Sequence, residues 1–251
     1  LKARDSILLN YNPFMAFVDD PKPQYNDQLL RSTNMLISAL RFMKSLRKQI
    51  LAPEVYHLNP AKSDNDTFRM ITRLLHSAVS WYGAYMFNAY PLDMSQYNNL
   101  FNSTRIPEIG KDRLFKDESA RHILVMKKGH FYIFDCLDKN GNILPPDHIH
   151  RCMQYIHAKE QNLPDHPLGY LTTEDRDTWA KARQQLVQAG NEETLRLLDS
   201  ALFTLILDED ETKETEPVKL THNLLCGNGH NRWLDKSFQL IVTKNGKAAL
   251  N

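Results

Sequence analysis

The run Ser237-Phe238-Gln239-Leu240-Ile241-Val242-Thr243, followed by Lys244-Asn245-Gly246-Lys247, constrains the fold more than any other stretch of the chain. An apolar, β-branched segment of this kind reads as a largely buried strand. The Asn-Gly after it predicts a two-residue type I′ turn, because both residues tolerate positive φ. A partner strand must then return along Ser237–Thr243, yet only Ala248-Ala249-Leu250-Asn251 follows. The returning strand is too short to match its neighbour, so an unpaired edge and poor solubility of the chain by itself are expected. At the other end, Leu1 is not an initiator methionine, and Leu1-Lys2-Ala3-Arg4-Asp5 has neither a signal-peptide nor a transit-peptide pattern. Together these features read as a piece cut from a larger soluble α/β protein.

At 251 residues the chain has room for a sizeable core. Its 42% hydrophobic and 24% charged residues are ordinary globular values. A formal charge of +1 gives no basic face for nucleic acid. Cys136, Cys152 and Cys226 are odd in number and widely spaced, which argues for a reduced compartment, no disulfide framework and no metal site.

Asn26 or Asp27 can cap a helix to about Gln49, with Leu29, Leu36, Leu40, Met43, Leu46 and Ile50 on one face and Ala52-Pro53 ending it. Arg121–Met126 and Phe131–Leu137 read as strands joined at Lys128-Gly129, with a turn at Asp138–Gly141 and a short strand near Ile143, a meander. Pro145-Pro146-Asp147 starts a helix that carries Ile149, Cys152, Met153 and Ile156 inward. Thr172 with Asp175 resembles a capping box for a helix Thr173–Ala189, stopped by Gly190, after which Asn191 caps another helix leading into the strand Leu202–Leu207. Asp208–Pro217 is acidic and aperiodic, a solvated loop. The class is α/β or α+β, a mixed and largely antiparallel sheet with flanking helices, lacking the regular βαβ pattern of a doubly wound fold.

Few constellations carry chemistry. His148, His150 and His157 do not share a helix face or complete a ligand set, and read as surface residues. Gly227-Asn228-Gly229 lacks the rest of a phosphate loop. Arg232-Trp233-Leu234-Asp235-Lys236 reads as a structural turn with an ion pair at the entry to the Ser237 strand. The segment Asn59–Leu92 stands apart. A helix Thr67–Val79 places Phe68, Ile71, Leu75 and Val79 on one side and Arg69 and Arg73 on another, and Trp81, Tyr82, Tyr85, Phe87 and Tyr90 follow. Arginines beside an aromatic belt fit a helix lying in a membrane interface. Amphipathic helices packed on their own domain are commoner, and the residues alone favour that reading.

Three strings in order, Tyr90–Pro107, Leu171–Ala180 and Asn231–Phe238, resemble the carnitine/choline acyltransferase family. Ala3–Ser6, Asn12–Phe17 and His57–Asp64 resemble its long-chain mitochondrial branch, and the likeness runs nearly end to end. The resemblance implies a two-domain enzyme, each domain built like chloramphenicol acetyltransferase, with this chain an incomplete amino-terminal domain. It implies transfer of long-chain acyl groups between carnitine and CoA for mitochondrial fatty-acid oxidation. Carnitine, CoA, long-chain acyl-CoA and acylcarnitine would be substrates, with no bound cofactor, metal or nucleic acid. A histidine in a Glu-His motif, expected just after Asn251, would act as general base on the carnitine hydroxyl. No catalytic or cofactor-binding residue is therefore assigned within the chain, which is expected to be inactive alone. Arg232 and Asp235 would support the base as ion-pair residues. The branch carries a membrane-association insertion matching residues 59–88, so Phe68, Arg69, Ile71, Arg73, Leu75, Trp81, Tyr82 and Tyr85 become candidates for peripheral contact with the inner mitochondrial membrane on its matrix side. The alternatives are a non-catalytic membrane- or partner-binding module, and a family member acting on shorter chains or on choline.

Overall fold

In the computed structural model, which describes residues 1–8 and 12–251, the chain divides into two compact units, Leu1–Met43 with Asn99–Asn251 and Lys44–Asn98. In chain order the elements are β1 (Met15–Phe17), α1 (Gln28–Arg47), β2 (Val55–His57), α2 (Pro60–Ser63), α3 (Asp66–Leu74), α4 (Ser80–Met86) and β3 (Ala89–Pro91). There follow β4 (Ser103–Ile106), β5 (Arg113–Lys116), β6 (His122–Lys127), β7 (His130–Asp135), α5 (Pro146–Ala158), α6 (Arg176–Leu186), α7 (Glu192–Ser200), β8 (Thr204–Leu207), α8 (Pro217–Leu225), β9 (Gln239–Val242) and β10 (Ala248–Leu250).

The larger unit is built on a six-stranded sheet in the order β1-β10-β9-β8-β6-β7. Its outer pairs β1/β10, β10/β9 and β6/β7 are antiparallel, which agrees with the largely antiparallel expectation. The centre differs: β6/β8 and β8/β9 are parallel, and α8 is the crossover from β8 to β9. The reason lies in burial. Strands β8 and β9 are buried at every position, and such strands are the ones that helices cover on both faces. Leu124, Met126, Ile206 and Ile241 join Trp179 and Trp233 in one core cluster, where the two indoles meet edge to face at 6.2 Å.

The hairpin after Val242 forms, with a different turn. Only Gly246 takes positive φ there, Gly246 N–H donates to the Thr243 carbonyl (2.9 Å), and Thr243 N–H donates to Lys247 (2.8 Å). This is a three-residue loop, a type I turn closed by a left-handed glycine, and Asn245 is instead spent on Thr212, whose carbonyl accepts from its amide at 2.7 Å. The two-residue turn with two positive φ values occurs at Lys128-Gly129. Nor is Ser237–Thr243 an unpaired edge: β9 lies between β8 and β10, and Gln239 and Asn251 exchange both backbone hydrogen bonds (2.8 and 2.9 Å).

Three further expectations change. Asp175 is itself the N-cap of α6, accepting from Asp177 and Thr178 N–H, while Thr172 lies buried in the preceding 3-10 turn; the helix therefore starts at Arg176, not Thr173. The Asp208–Pro217 stretch is not wholly solvated, because Asp208 and Thr212 are buried, and Pro217 begins α8. On α5, Ile149, Met153 and Ile156 are buried while Cys152 is only partly so. Helix α1 begins after Asp27, whose carboxylate caps Leu30 N–H (3.0 Å), and buries Leu36, Leu40 and Met43.

The smaller unit holds the antiparallel two-stranded sheet β2/β3, whose strands are joined through α2, α3 and α4, and a small core of Phe68, Ala84 and Ala89 with Val55 and Phe87. The helix expected over Thr67–Val79 is shorter: α3 is capped by Asn65 and ends at Leu74, and a separate helix, α4, starts at Ser80. Leu75 falls at the break, where it folds over Gly83.

Candidate functional site

The loop Asn231–Phe238 connects α8 to β9 and is buried for most of its length. Its charged side chains are each matched inside the protein. Asp235 accepts from Arg176 (2.6 Å) and from the Trp179 indole N–H (2.6 Å). Arg176, the first residue of α6, also pairs with Asp112 at 2.7 Å, and Asp112 in turn takes Arg4 (2.9 Å) and Arg105 (2.5 Å). Burial pushes the Asp235 carboxyl up, against the Arg176 charge and the Trp179 N–H. Burial opposes ionisation of Asp112 as well, but its three arginines prevail and hold that carboxyl below its usual range.

Arg232 faces elsewhere. It donates to Asp208 (2.6 Å), to the Asn223 carbonyl and side chain (2.8 Å each) and to the Asn231 carbonyl (2.8 Å). Gly227 backs directly onto this guanidinium: a Cβ there would come within 2.7 Å of it, which gives the Gly-Asn-Gly stretch a packing role. Arg232 and Asp235 thus sit in two separate buried ion pairs, with partners Asp208 and Arg176 that spacing along the loop did not reveal. Arg176 was visible only as part of the Leu171–Ala180 string, and Asp208 only as the start of an acidic loop.

Lys236 is buried and donates to Thr104 Oγ1 (3.0 Å) and to the Leu198 (3.4 Å) and Asp199 carbonyls at the end of α7. Burial pushes its amine down from 10.5 to about 7, against the Asp199 charge. Between those values the unfolded chain binds the proton and the native state does not, so this group makes stability rise with pH from about 7 towards 10.5. Denaturant midpoints of the parent and of Lys236→Met, taken at steps from pH 7 to 10, should diverge in the parent's favour; a constant difference overturns this.

Beside this frame, Pro13, Phe14, Met15, Leu100, Leu234, Phe238 and Leu250 line an apolar cleft of about 380 Å³, which Asn251 borders. Asn12, Lys236, Ser237 and Gln239 also reach its wall.

The residues proposed for membrane contact separate in the smaller unit. Phe68 is 5% exposed, turned into the core against His57 and Phe87. Arg69 is tied to Asp64 (2.5 Å) and Asp66 (3.0 Å), and Ile71 is half-buried. Arg73, Leu75, Trp81, Tyr82 and Tyr85 are exposed. Met70, Leu74 and Met86 join them at the surface. No helix among the described residues is long and apolar enough to cross a membrane. His148 lies by Cys152 (3.8 Å) and His150 by Thr33 (3.4 Å), so these histidines do not converge.

The family model for choline/carnitine O-acyltransferase matches residues 1–251. Over the whole chain it is 58% identical to the mitochondrial carnitine O-palmitoyltransferase 2 of Macaca fascicularis and 57% identical to the human protein, spanning 38% of each. A more distant relative, the bovine peroxisomal carnitine O-octanoyltransferase, is 36% identical over 62% of the chain and 27% of its own length. A match over every residue, at identities this high, settles the question of family: the chain belongs to the choline/carnitine O-acyltransferases.

Proposed function

We propose that this chain is part of a carnitine O-palmitoyltransferase that moves long-chain acyl groups between carnitine and CoA in mitochondria. The carrying observation is the 54–58% identity, across the entire chain, to mitochondrial carnitine O-palmitoyltransferase 2 of several species. In this reading the chain supplies most of an amino-terminal domain of the chloramphenicol-acetyltransferase type. The general base that deprotonates the carnitine hydroxyl lies beyond Asn251, and carnitine, CoA and their acyl forms are the substrates. The Arg176–Asp235 and Arg232–Asp208 pairs act at a distance from the chemistry by fixing the loop that leads into β9. Supporting the preference for long chains, the cleft along Phe14, Phe238 and Leu250 offers a hydrocarbon wall. Residues 59–88 act as an insertion that rests on the matrix face of the inner membrane through exposed apolar side chains.

The test measures carnitine-dependent release of CoA thiol from palmitoyl-CoA and octanoyl-CoA by the full-length protein, with choline as a rival acceptor. Release with carnitine, faster for palmitoyl-CoA, is expected, and none from the 251-residue chain alone. Preference for choline, or an octanoyl preference of the kind named for the peroxisomal relative, would replace this reading. Turnover that co-purifies with the chain alone would place the base inside it.

A further inference from the structure

In the smaller unit, α3, α4 and the two-stranded β2/β3 sheet enclose an open cleft of about 460 Å³. Its floor is apolar, with Val55, Phe68 and Ala84, and its rim carries Arg69, Arg73 and Trp81. The two arginines are not equivalent. Arg69 is neutralised by Asp64 and Asp66, whereas Arg73 has no carboxylate partner among the described residues. No Asp or Glu occurs from Thr67 to Leu92, so nothing on α3 or α4 beyond Asp66 offsets that charge. Of the other polar groups at the cleft, the Asp64 carboxylate is held by Arg69 (2.5 Å) and His57 Nδ1 lies 2.9 Å from Ser63 Oγ, while Thr72 Oγ1 donates to the Phe68 carbonyl (2.9 Å), Ser80 Oγ to Ser77 (3.2 Å) and the Trp81 indole to Ala78 (3.0 Å). An anion entering the cleft meets Arg73 as its donor.

The surroundings decide which anion. Leu74 is 80% exposed and Met86 68%, and Trp81, Tyr82 and Tyr85 are each more than half exposed. A soluble phosphate explains Arg73 but leaves these side chains in water. A lipid surface accounts for both, because indole and phenol rings favour the headgroup level while aliphatic side chains pass below it. We propose that the cleft seats the phosphate of one anionic phospholipid on Arg73, with Trp81, Tyr82 and Tyr85 at the headgroup level and Leu74 and Met86 entering the acyl layer around it. This rests on the peripheral-membrane reading above and adds a defined headgroup site to it.

Co-sedimentation of the full-length protein is measured with vesicles of phosphatidylcholine, and with vesicles in which part of that lipid is replaced by phosphatidylglycerol. The parent should bind both and prefer the anionic ones. Arg73→Gln should lose about fivefold on anionic vesicles, the effect of one cation near an anionic surface, and nothing on zwitterionic ones. Arg73→Lys should retain most of the preference, which shows that the glutamine variant has not merely unfolded. Arg69→Gln should change little, and Trp81→Ala should weaken binding to both kinds of vesicle. Equal losses for Arg69→Gln and Arg73→Gln would mean diffuse attraction and overturn the headgroup site. Displacement by inorganic phosphate, against chloride at matched ionic strength, would assign the cleft to a free anion and overturn it too. Binding without any headgroup preference removes this proposal and leaves the membrane reading standing, whereas no binding to either vesicle removes both.

Discussion

Replacing Arg176 with methionine is expected to lower the unfolding free energy by about 3–5 kcal/mol, the range for removing one partner of a buried ion pair. The side chain is 0% exposed and holds Asp112 and Asp235 together. Methionine keeps much of the length and none of the charge. Asp112 would still have Arg4 and Arg105, so the residue left stranded is Asp235, with only the Trp179 N–H. Burial already pushes that carboxyl up, and without Arg176 it rises further. A carboxyl whose native pKa lies above its unfolded value favours the native state at low pH and costs stability as pH rises through the unfolded pKa. The deficit of Arg176→Met should therefore be larger at pH 7 than at pH 5. Adding Asp235→Asn should recover part of it, which a double-mutant cycle reads as coupling. Urea unfolding at the two pH values decides the matter: a deficit under about 1 kcal/mol, or one that ignores pH, would show that the pair does not hold this loop.

The second large effect comes from the hairpin. Alanine at Gly246 should cost roughly 3 kcal/mol, combining a left-handed backbone with a collision in a packed site. Gly246 has φ near 75°, and a Cβ there would fall 1.7 Å from the Asn26 carbonyl oxygen. Asn26 has little room to withdraw, because its side chain is bonded to both Asp20 backbone groups (2.9 and 3.0 Å) and to Arg31, just before α1. Gly141 is the control, with φ near 74° and nothing within 4 Å of its Cβ position. Its alanine variant should lose only the conformational part, about 1 kcal/mol. Equal denaturation midpoints for the two variants would show that the Asn26 contact carries no weight.

How far the sequence leads can be judged from a few residues. Buried strands announce themselves by unbroken apolar runs, so β6, β8 and β9 were all visible, as were a cap at Asn26 or Asp27 and the inward Ile149, Met153 and Ile156 of α5. Parallel pairing was not visible, since an apolar run does not name its neighbours and no helix was expected between the acidic loop and the Ser237 strand. The hairpin itself was visible but its loop was not, because Asn245 has a rival use on Thr212 that lies 33 residues away. In the smaller unit, one apolar stripe over Thr67–Val79 merged a core residue, Phe68, with surface residues. The end of α3 at Leu74 puts Leu75 and Val79 outside the helix that carries Phe68.

Local patterning and matched strings of residues are properties of the chain taken in order, and by themselves they determined the family, the mixed α/β class and the existence of the last hairpin. Pairing is a property of the folded chain. Tertiary structure alone decided that Asp235 answers Arg176, 59 residues distant, and that Arg232 answers Asp208. A buried charge selects whichever opposite charge the fold brings within hydrogen-bond reach, and separation along the chain has no part in that choice.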